Sequence, residues 1–242
     1  MKMRLFQKGF NYSQDGQGNR LVYHLQGCNM RCPWCSNPEG IAAESRGSVE
    51  YEINELVDEA LRSVPMFFDG GGVTLTGGEA SLQFEASFAL LSRLREAGVH
   101  TALETNGSHL RLDDLFPVID ELIADVKHYD PAVHRAHIGV GNEQTILNIE
   151  KAKEKRDQLL VRIPLVNGFN ASKADMEGFI RLLRPLDFPG LAVELLPYHE
   201  FGRDKWEKSG MPYQVEKGFV SGEAVAQYKA RFRESGFRIR ET

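Results

Sequence analysis

Six short apolar runs, each followed by a stretch of helical character, predict an α/β protein whose parallel strands form a partial (β/α)6 barrel of TIM type, open on one side. Two further observations support that class. Six units fall short of the eight that close a full barrel. The glycines and polar residues that could carry chemistry stand directly behind the apolar runs, at the carboxyl ends of strands where sites in parallel α/β folds lie. With 242 residues, 42% of them apolar and 26% charged, the chain is an ordinary globular one and is long enough to bury roughly 70% of its unfolded surface. No linker, low-complexity tract or repeat interrupts it, so a single domain over 1–242 is expected, with no ferredoxin-like insert.

Residues 21–25 form the first strand candidate and run directly into a cysteine loop at 27–36. Ile53, Leu56, Val57, Ala60, Leu61 and Val64 then recur on one helical face. Val73-Thr-Leu-Thr reads as a buried strand, followed by a helix with Phe84, Phe88, Leu91 and Leu94 inward and Gly98 as its stop. Further strands are expected at 101–103, 122–126, 159–163 and 191–196, with helices between them. Ser172 and Asp175 have the spacing of a capping box, which leads into Met176, Phe179, Ile180 and Leu183. A last helix should run from about Ser221 to Gly236, before an apolar alternation at Phe237 and Ile239.

A formal net charge of -5 and the lack of a Lys/Arg block exclude the electrostatic footprint of nucleic-acid binding. No apolar run has the length of a signal peptide or the roughly 20 residues of a membrane span. A cytoplasmic protein without a membrane partner is expected, working as a monomer.

The three cysteines, Cys28, Cys32 and Cys35, fall within eight consecutive residues. An odd, clustered set suits metal ligands or redox thiols better than a disulfide framework. Three thiolates spaced C-x3-C-x2-C can each reach a different iron of a cubane cluster. With no fourth cysteine, one iron is left open for substrate chemistry. Two other readings stand beside this one: a zinc site with a distant histidine such as His24, and a redox pair in Cys32-Pro-Trp-Cys35.

C-x3-C-x2-C with Trp34 before the last cysteine, then Gly77-Gly78-Glu79 behind the next strand, resembles the radical S-adenosylmethionine superfamily. The resemblance implies a [4Fe-4S] cluster on the three cysteines, with S-adenosylmethionine chelating the open iron. It further implies that Trp34, Cys35 and Ser36 flank that molecule, and that Gly77, Gly78 and Glu79 meet its amino group. Asp125, Val126 and Lys127 would lie along it, and His199 would reach its ribose or adenine side. Taken singly, a double glycine also suits a plain turn, and a strand-end lysine or histidine suits a solvated group. Arg162 fits either a carboxylate of the ligand or a structural salt bridge. Where the family carries Asp-Thr-Asn-Gly, beside its Asp-x-Lys segment, this chain has Glu104-Thr105-Asn106-Gly107. The implied monovalent cation, K+ or Na+, would therefore lie on Glu104, Thr105 and Asp125, with a longer acidic ligand.

Longer stretches narrow the resemblance to the glycyl-radical-enzyme activating enzymes, of which the pyruvate formate-lyase activase is one. Asp15-Gly-Gln-Gly-Asn-Arg20, the run from Gly70 to Glu79, and Glu194-Leu-Leu-Pro-Tyr-His-Glu200 followed by Gly202 and Trp206 carry it. It implies an anaerobic protein substrate, a glycyl radical enzyme, and reduced flavodoxin or ferredoxin as electron donor. Asp15, Arg20 and Asn37 are the expected partner-binding residues, beside the cluster loop, although Asp-Gly-Gln-Gly is equally a hairpin turn. The alternative is a radical S-adenosylmethionine enzyme acting on a small molecule, in the manner of 7-carboxy-7-deazaguanine synthase.

Overall fold

A computed structural model describes residues 1–241, which divide into two compact units. Residues 1–29, 39–105 and 111–123 make the first; residues 30–38, 106–110 and those from 124 onward make the second.

The first unit contains β1 (Lys2–Tyr12), β2 (Asn19–Leu25), β3 (Val49–Glu52), α1 (Ile53–Arg62), β4 (Gly72–Gly77), α2 (Phe84–Glu96), β5 (Thr101–Thr105) and the first three residues of β6 (Glu121–Asp125). Its strands lie in the order β3-β1-β2-β4-β5-β6. β2, β4 and β5 are parallel, with Leu21 opposite Val73 and Val73 opposite Thr101. Their near-continuous burial is what strands covered on both faces require. Tyr23, fully buried on β2, donates its hydroxyl to the carbonyl of Leu56 at 2.9 Å and so ties the sheet to α1.

β1 and β3 were not foreseen. β1 runs antiparallel to β2, and β3 antiparallel to β1. β1 fully buries only Met3 and Leu5 among polar neighbours. A strand with one solvated face carries no continuous apolar run to recognise.

The helical stripes were foreseen with errors at their edges. α1 starts in a capping box between Glu52 and Glu55 and buries Ile53, Leu56, Val57 and Ala60. It ends at Arg62, which leaves Val64, expected inward, 47% exposed, while Leu61, inside the helix, lies off the buried stripe and is 40% exposed. On α2, Leu90 joins Phe84, Leu91 and Leu94 in the core, whereas Phe88 is 38% exposed. At 100° per residue, position 88 falls at the margin of that stripe. Gly98 stops the helix at φ +76°.

The hairpin at Asp15–Arg20, expected beside the cysteine loop, stands apart from it. It joins β1 to the start of β2, whereas the cysteine loop leaves the end of that strand. Seven residues at about 3.3 Å each put the two roughly 20 Å apart. Arg20 is fully buried. Its guanidinium donates to Thr74 Oγ1 at 2.6 Å, the carbonyl of Val73 at 2.8 Å and that of Gln17 at 3.1 Å. Arg20 is therefore a bolt through the base of the sheet and is not open to a partner protein. The Asp15 side chain accepts from Asn11, and its carbonyl accepts from Thr74 Oγ1 at 2.6 Å.

The second unit holds the last two residues of β6, then α3 (Pro131–Ile138), α4 (Glu143–Lys155), β7 (Leu159–Leu165), α5 (Lys173–Leu183), β8 (Leu191–Pro197), α6 (Arg203–Lys208), α7 (Gly222–Glu234) and β9 (Arg238–Ile239). The strand order is β6-β7-β8-β9, with β7, β8 and β9 parallel. Sequence signals set its helix starts: Asp130 caps α3, the Ser172/Asp175 box opens α5, and Ser221 caps α7. Phe179, Ile180 and Leu183 of α5 are buried as expected, and Met176 is half-buried.

Replacing Arg20 with Met should strand several buried acceptors and lower the unfolding free energy by about 3 kcal/mol. Urea unfolding of the two proteins measures it. A change under about 0.5 kcal/mol, the range of ordinary surface substitutions, would show that Arg20 is not a structural bolt.

Candidate active site

In the first unit the cysteine loop begins against two other chain segments. Gly78 N–H donates to the carbonyl of Leu25 at 2.8 Å, and Glu79 N–H to that of Gly27 at 2.7 Å. Gly27 N–H reaches the carbonyl of Gly40 at 2.8 Å, and Cys28 N–H that of Ile41 at 3.1 Å. Gln26 adds side-chain bonds to the carbonyls of Glu39 at 2.9 Å and Ala42 at 2.6 Å. A Cβ on Gly78 would strike the carbonyl oxygens of Gly27 and Gly40, and Gly77 sits at φ +109°. The double glycine thus lets three backbones meet at the root of Cys28, which is half-buried.

Glu79 is buried, and its Oε1 accepts from the Ser81 amide at 2.9 Å, from the Ser81 hydroxyl, and from Thr105 Oγ1 at 2.7 Å. It caps the turn at Ala80–Gln83 and ties it to the end of β5. Glu104, next to Thr105, is half-buried. The first unit therefore gathers Cys28, Gly77, Gly78, Glu79 and Thr105 at the ends of β2, β4 and β5, and leaves Asp15 and Arg20 at the other end of β2.

In the second unit, Cys32 and Cys35 share one tight turn, closed by Cys35 N–H to the carbonyl of Cys32 at 3.1 Å. The turn is not the start of a helix, so it lacks the dipole that activates many redox Cys-x-x-Cys pairs. Asn37 N–H points at Cys35 Sγ, 3.4 Å away. The indole N–H of Trp206 donates to the carbonyl of Cys35 at 2.8 Å, and Lys205 Nζ to Asn37 Oδ1 at 3.0 Å. Trp34 rests against Phe169, with ring centroids 4.7 Å apart, and Ser36 is half-buried.

At the end of β6, Lys127 Nζ pairs with Asp125 Oδ2 at 2.6 Å, both largely buried. Val126, fully buried, donates its N–H to the carbonyl of Arg162 at 2.8 Å. Arg162 and Glu194 are register partners on β7 and β8 and form a buried ion pair through Arg162 Nε and Glu194 Oε2. Of the two roles open to Arg162, the structure displays the salt bridge. Glu194 Oε1 is buried without a hydrogen-bond partner among the described residues. His199 stacks on Phe201 at 4.2 Å between centroids, and burial pushes its imidazole below the ordinary histidine range.

Asn170, Glu194 and Trp206 act here without having been singled out as site residues. Asn170, fully buried, donates to the carbonyls of Lys127 at 2.8 Å and Pro164 at 2.6 Å and so joins the ends of β6 and β7. An asparagine in a turn carries no sequence signal for that work. Glu194 could have been found as the lone acid inside the apolar run of β8, since an acid at a buried position needs a partner.

The donor set fits a cubane cluster. None of the three cysteines is in a disulfide, and a backbone N–H is aimed at the sulfur of Cys35. Among the described residues, no three or more His, Cys, Asp or Glu side chains gather on one point as a single metal ion requires. Cubane ligands bind separate irons and need not meet at a point. His24, the fourth ligand of the zinc alternative, lies against Phe6 with centroids 5.6 Å apart.

Comparison with known proteins agrees with this site. The family model of the Radical SAM superfamily matches residues 22–183. The chain is 32% identical over 215 residues to a pyruvate formate-lyase-activating enzyme of Streptococcus mutans, covering 84% of this chain and 80% of that one. It is 30% identical over 267 residues to a choline trimethylamine-lyase activating enzyme of Oleidesulfovibrio alaskensis, covering 84% and 85%. Among solved structures, a domain of a pyruvate-formate lyase-activating enzyme from Bacteroides vulgatus superposes with TM-score 0.58 at 27% identity, over 71% of this chain and 98% of that one. A radical SAM methyltransferase from Sphaerobacter thermophilus matches in fold over 96% of this chain and 72% of that one, with TM-score 0.68 at 17% identity. The fold is the open, partial α/β barrel of these proteins, its strands mostly parallel, and the chain belongs to the radical SAM superfamily, in the family of the pyruvate formate-lyase-activating enzymes, activases of glycyl radical enzymes.

Proposed function

We propose that this chain, acting over its whole length as one functional domain, reductively cleaves S-adenosylmethionine and installs a radical on a glycine of a partner enzyme. The observation that carries the reading is the loop of three cysteines, none of them in a disulfide, in a chain that has no fourth. When bound, a [4Fe-4S] cluster supplies one electron that breaks the sulfonium C5'–S bond; the resulting 5'-deoxyadenosyl radical takes hydrogen from the partner's glycine Cα, leaving a glycyl radical.

Cys28, Cys32 and Cys35 would hold the cluster. Gly77 and Gly78 offer backbone at close range to the methionyl amino group, with Glu79 beneath them. Trp34, Ser36 and the Asp125-Val126-Lys127 strand end would line the ligand. Arg162, ion-paired with Glu194, would lie along a carboxylate of the ligand. His199, stacked on Phe201, would supply a flat ring surface to the ribose or adenine. Glu104, Thr105 and Asp125 would hold K+ or Na+, the cation competing with Lys127 for Asp125.

The partner is a glycyl radical enzyme, as for the relatives' pyruvate formate-lyase and choline trimethylamine-lyase, and Asn37 beside the cysteine turn is our choice for its contact. The donor is reduced flavodoxin or ferredoxin. An open iron corner is sensitive to oxidant, which supports a role in anaerobic metabolism. No helix among the described residues is long and apolar enough to cross a membrane. We place the enzyme in the cytoplasm as a monomer.

Cys28→Ala, Cys32→Ala and Cys35→Ala should each abolish 5'-deoxyadenosine formation after anaerobic reconstitution, because two thiolates cannot hold a cubane with one corner free. A single variant with full cluster content and normal product would sink the ligand assignment. With reductant and each candidate lyase present, deuterium on the partner's glycine Cα should appear in 5'-deoxyadenosine. Label arriving only from a deuterated small heterocycle, with no protein substrate, would move the chain to small-molecule chemistry. Glu104→Ala should weaken S-adenosylmethionine binding about tenfold, roughly 1.4 kcal/mol, and change its response to potassium and sodium, while Glu104→Asp keeps both. Equal affinities of all three proteins in every salt would remove Glu104 from the site.

A further inference from the structure

The short helix α6 and the glycine before it lie against the turn of the third cysteine, more than 160 positions earlier in the chain. Three contacts, all within the second unit, fasten it there. The Trp206 indole N–H bonds to the carbonyl of Cys35 at 2.8 Å, and Trp206 itself is buried. Lys205 Nζ bonds to Asn37 Oδ1 at 3.0 Å. Gly202 approaches so closely that a Cβ there would overlap the Cys35 carbonyl oxygen and crowd Ser36 Cα. Within the helix, Trp206 N–H returns to the carbonyl of Gly202 at 3.1 Å, so the two grips are parts of one rigid turn.

The clamp has a target. It holds the Cys35 carbonyl and the Asn37 side chain, the two ends of the segment whose Asn37 N–H points at Cys35 Sγ at 3.4 Å. A single N–H···S bond in an exposed loop would be lost to fluctuation. Fixed from both ends it becomes a permanent dipole on one sulfur. Hydrogen bonds to ligand sulfur stabilise the more negative, reduced state of an iron-sulfur cluster and so raise its potential. The partners that orient a ligand affect metal retention as well as electronics.

We propose that Gly202, Lys205 and Trp206 are positioning residues that lock the Asn37 amide onto the Cys35 sulfur, and thereby set the potential and the retention of the cluster. The proposal rests on the cluster assignment above and adds to it a device that acts through the backbone next to the third cysteine.

The test uses the full chain, reconstituted anaerobically with iron and sulfide, as wild type, Trp206→Phe, Lys205→Met and Lys205→Arg. Trp206→Phe keeps the ring and deletes the donor; Lys205→Met keeps the stem and deletes the charge at a partly exposed position. Two readouts serve: the reduced-to-oxidised cluster ratio at a fixed poised potential, followed by electron paramagnetic resonance, and the rate of iron loss to a chelator. Trp206→Phe and Lys205→Met should each lower that ratio about threefold, close to 30 mV for one electron, and speed iron loss about tenfold, with Lys205→Arg near wild type. Unchanged ratios and loss rates in both deletion variants would overturn the clamp. So would faster iron loss at unchanged potential, since the amide would then not act on the sulfur. A wild-type chain that takes up no cluster would instead overturn the cluster assignment itself, and the clamp with it. If Trp206→Phe fails to fold, Lys205→Met and its arginine rescue decide the question alone.

Discussion

Backbone meeting backbone at Gly27, Gly40 and Gly78 is the constraint on which the first unit's chemistry depends. Three segments converge where side chains would keep them apart, and each contributes amides or carbonyls to a closed set of hydrogen bonds. Cys28 follows from this arrangement, because its own N–H completes the set on Ile41. The second unit solves the same problem differently. There the cysteine turn is gripped by an indole, an ammonium and a glycine from one short helix.

Much of this was legible before any coordinates. The six buried strands, the capping box of α5 and the spacing of the three cysteines all leave local patterns. The resemblance of Gly77-Gly78-Glu79 and of the segment from Glu194 to Trp206 pointed to the right family. What stayed hidden was whatever depends on the far side of a contact. β1 escaped because its apolar residues alternate and are few. Phe88 and Val64 were misread because a period says where a stripe is centred, and neither its width nor where the helix stops.

Arg20 is the instructive error. A charged residue in a glycine-rich motif reads as a surface feature, since arginine is almost never fully buried. The structure surrounds it with carbonyls and a threonine hydroxyl at the foot of β2 and β4. Glu79 follows the same pattern: an acid expected to meet a ligand's ammonium also organises the turn behind it. Residues in such motifs can be required by the architecture, and a motif's role cannot be divided into ligand and scaffold residue by residue without the fold.

The backbone bonds around Gly27 and Cys28, and the helix behind Cys35, use no metal. Many small metal proteins are unstructured until their ion arrives, because the ligands have nothing else to order them. Here each cysteine segment has its own protein neighbours. The course of the backbone at each cysteine is set by hydrogen bonds of the polypeptide itself, so the order of these segments does not rest on their thiols alone.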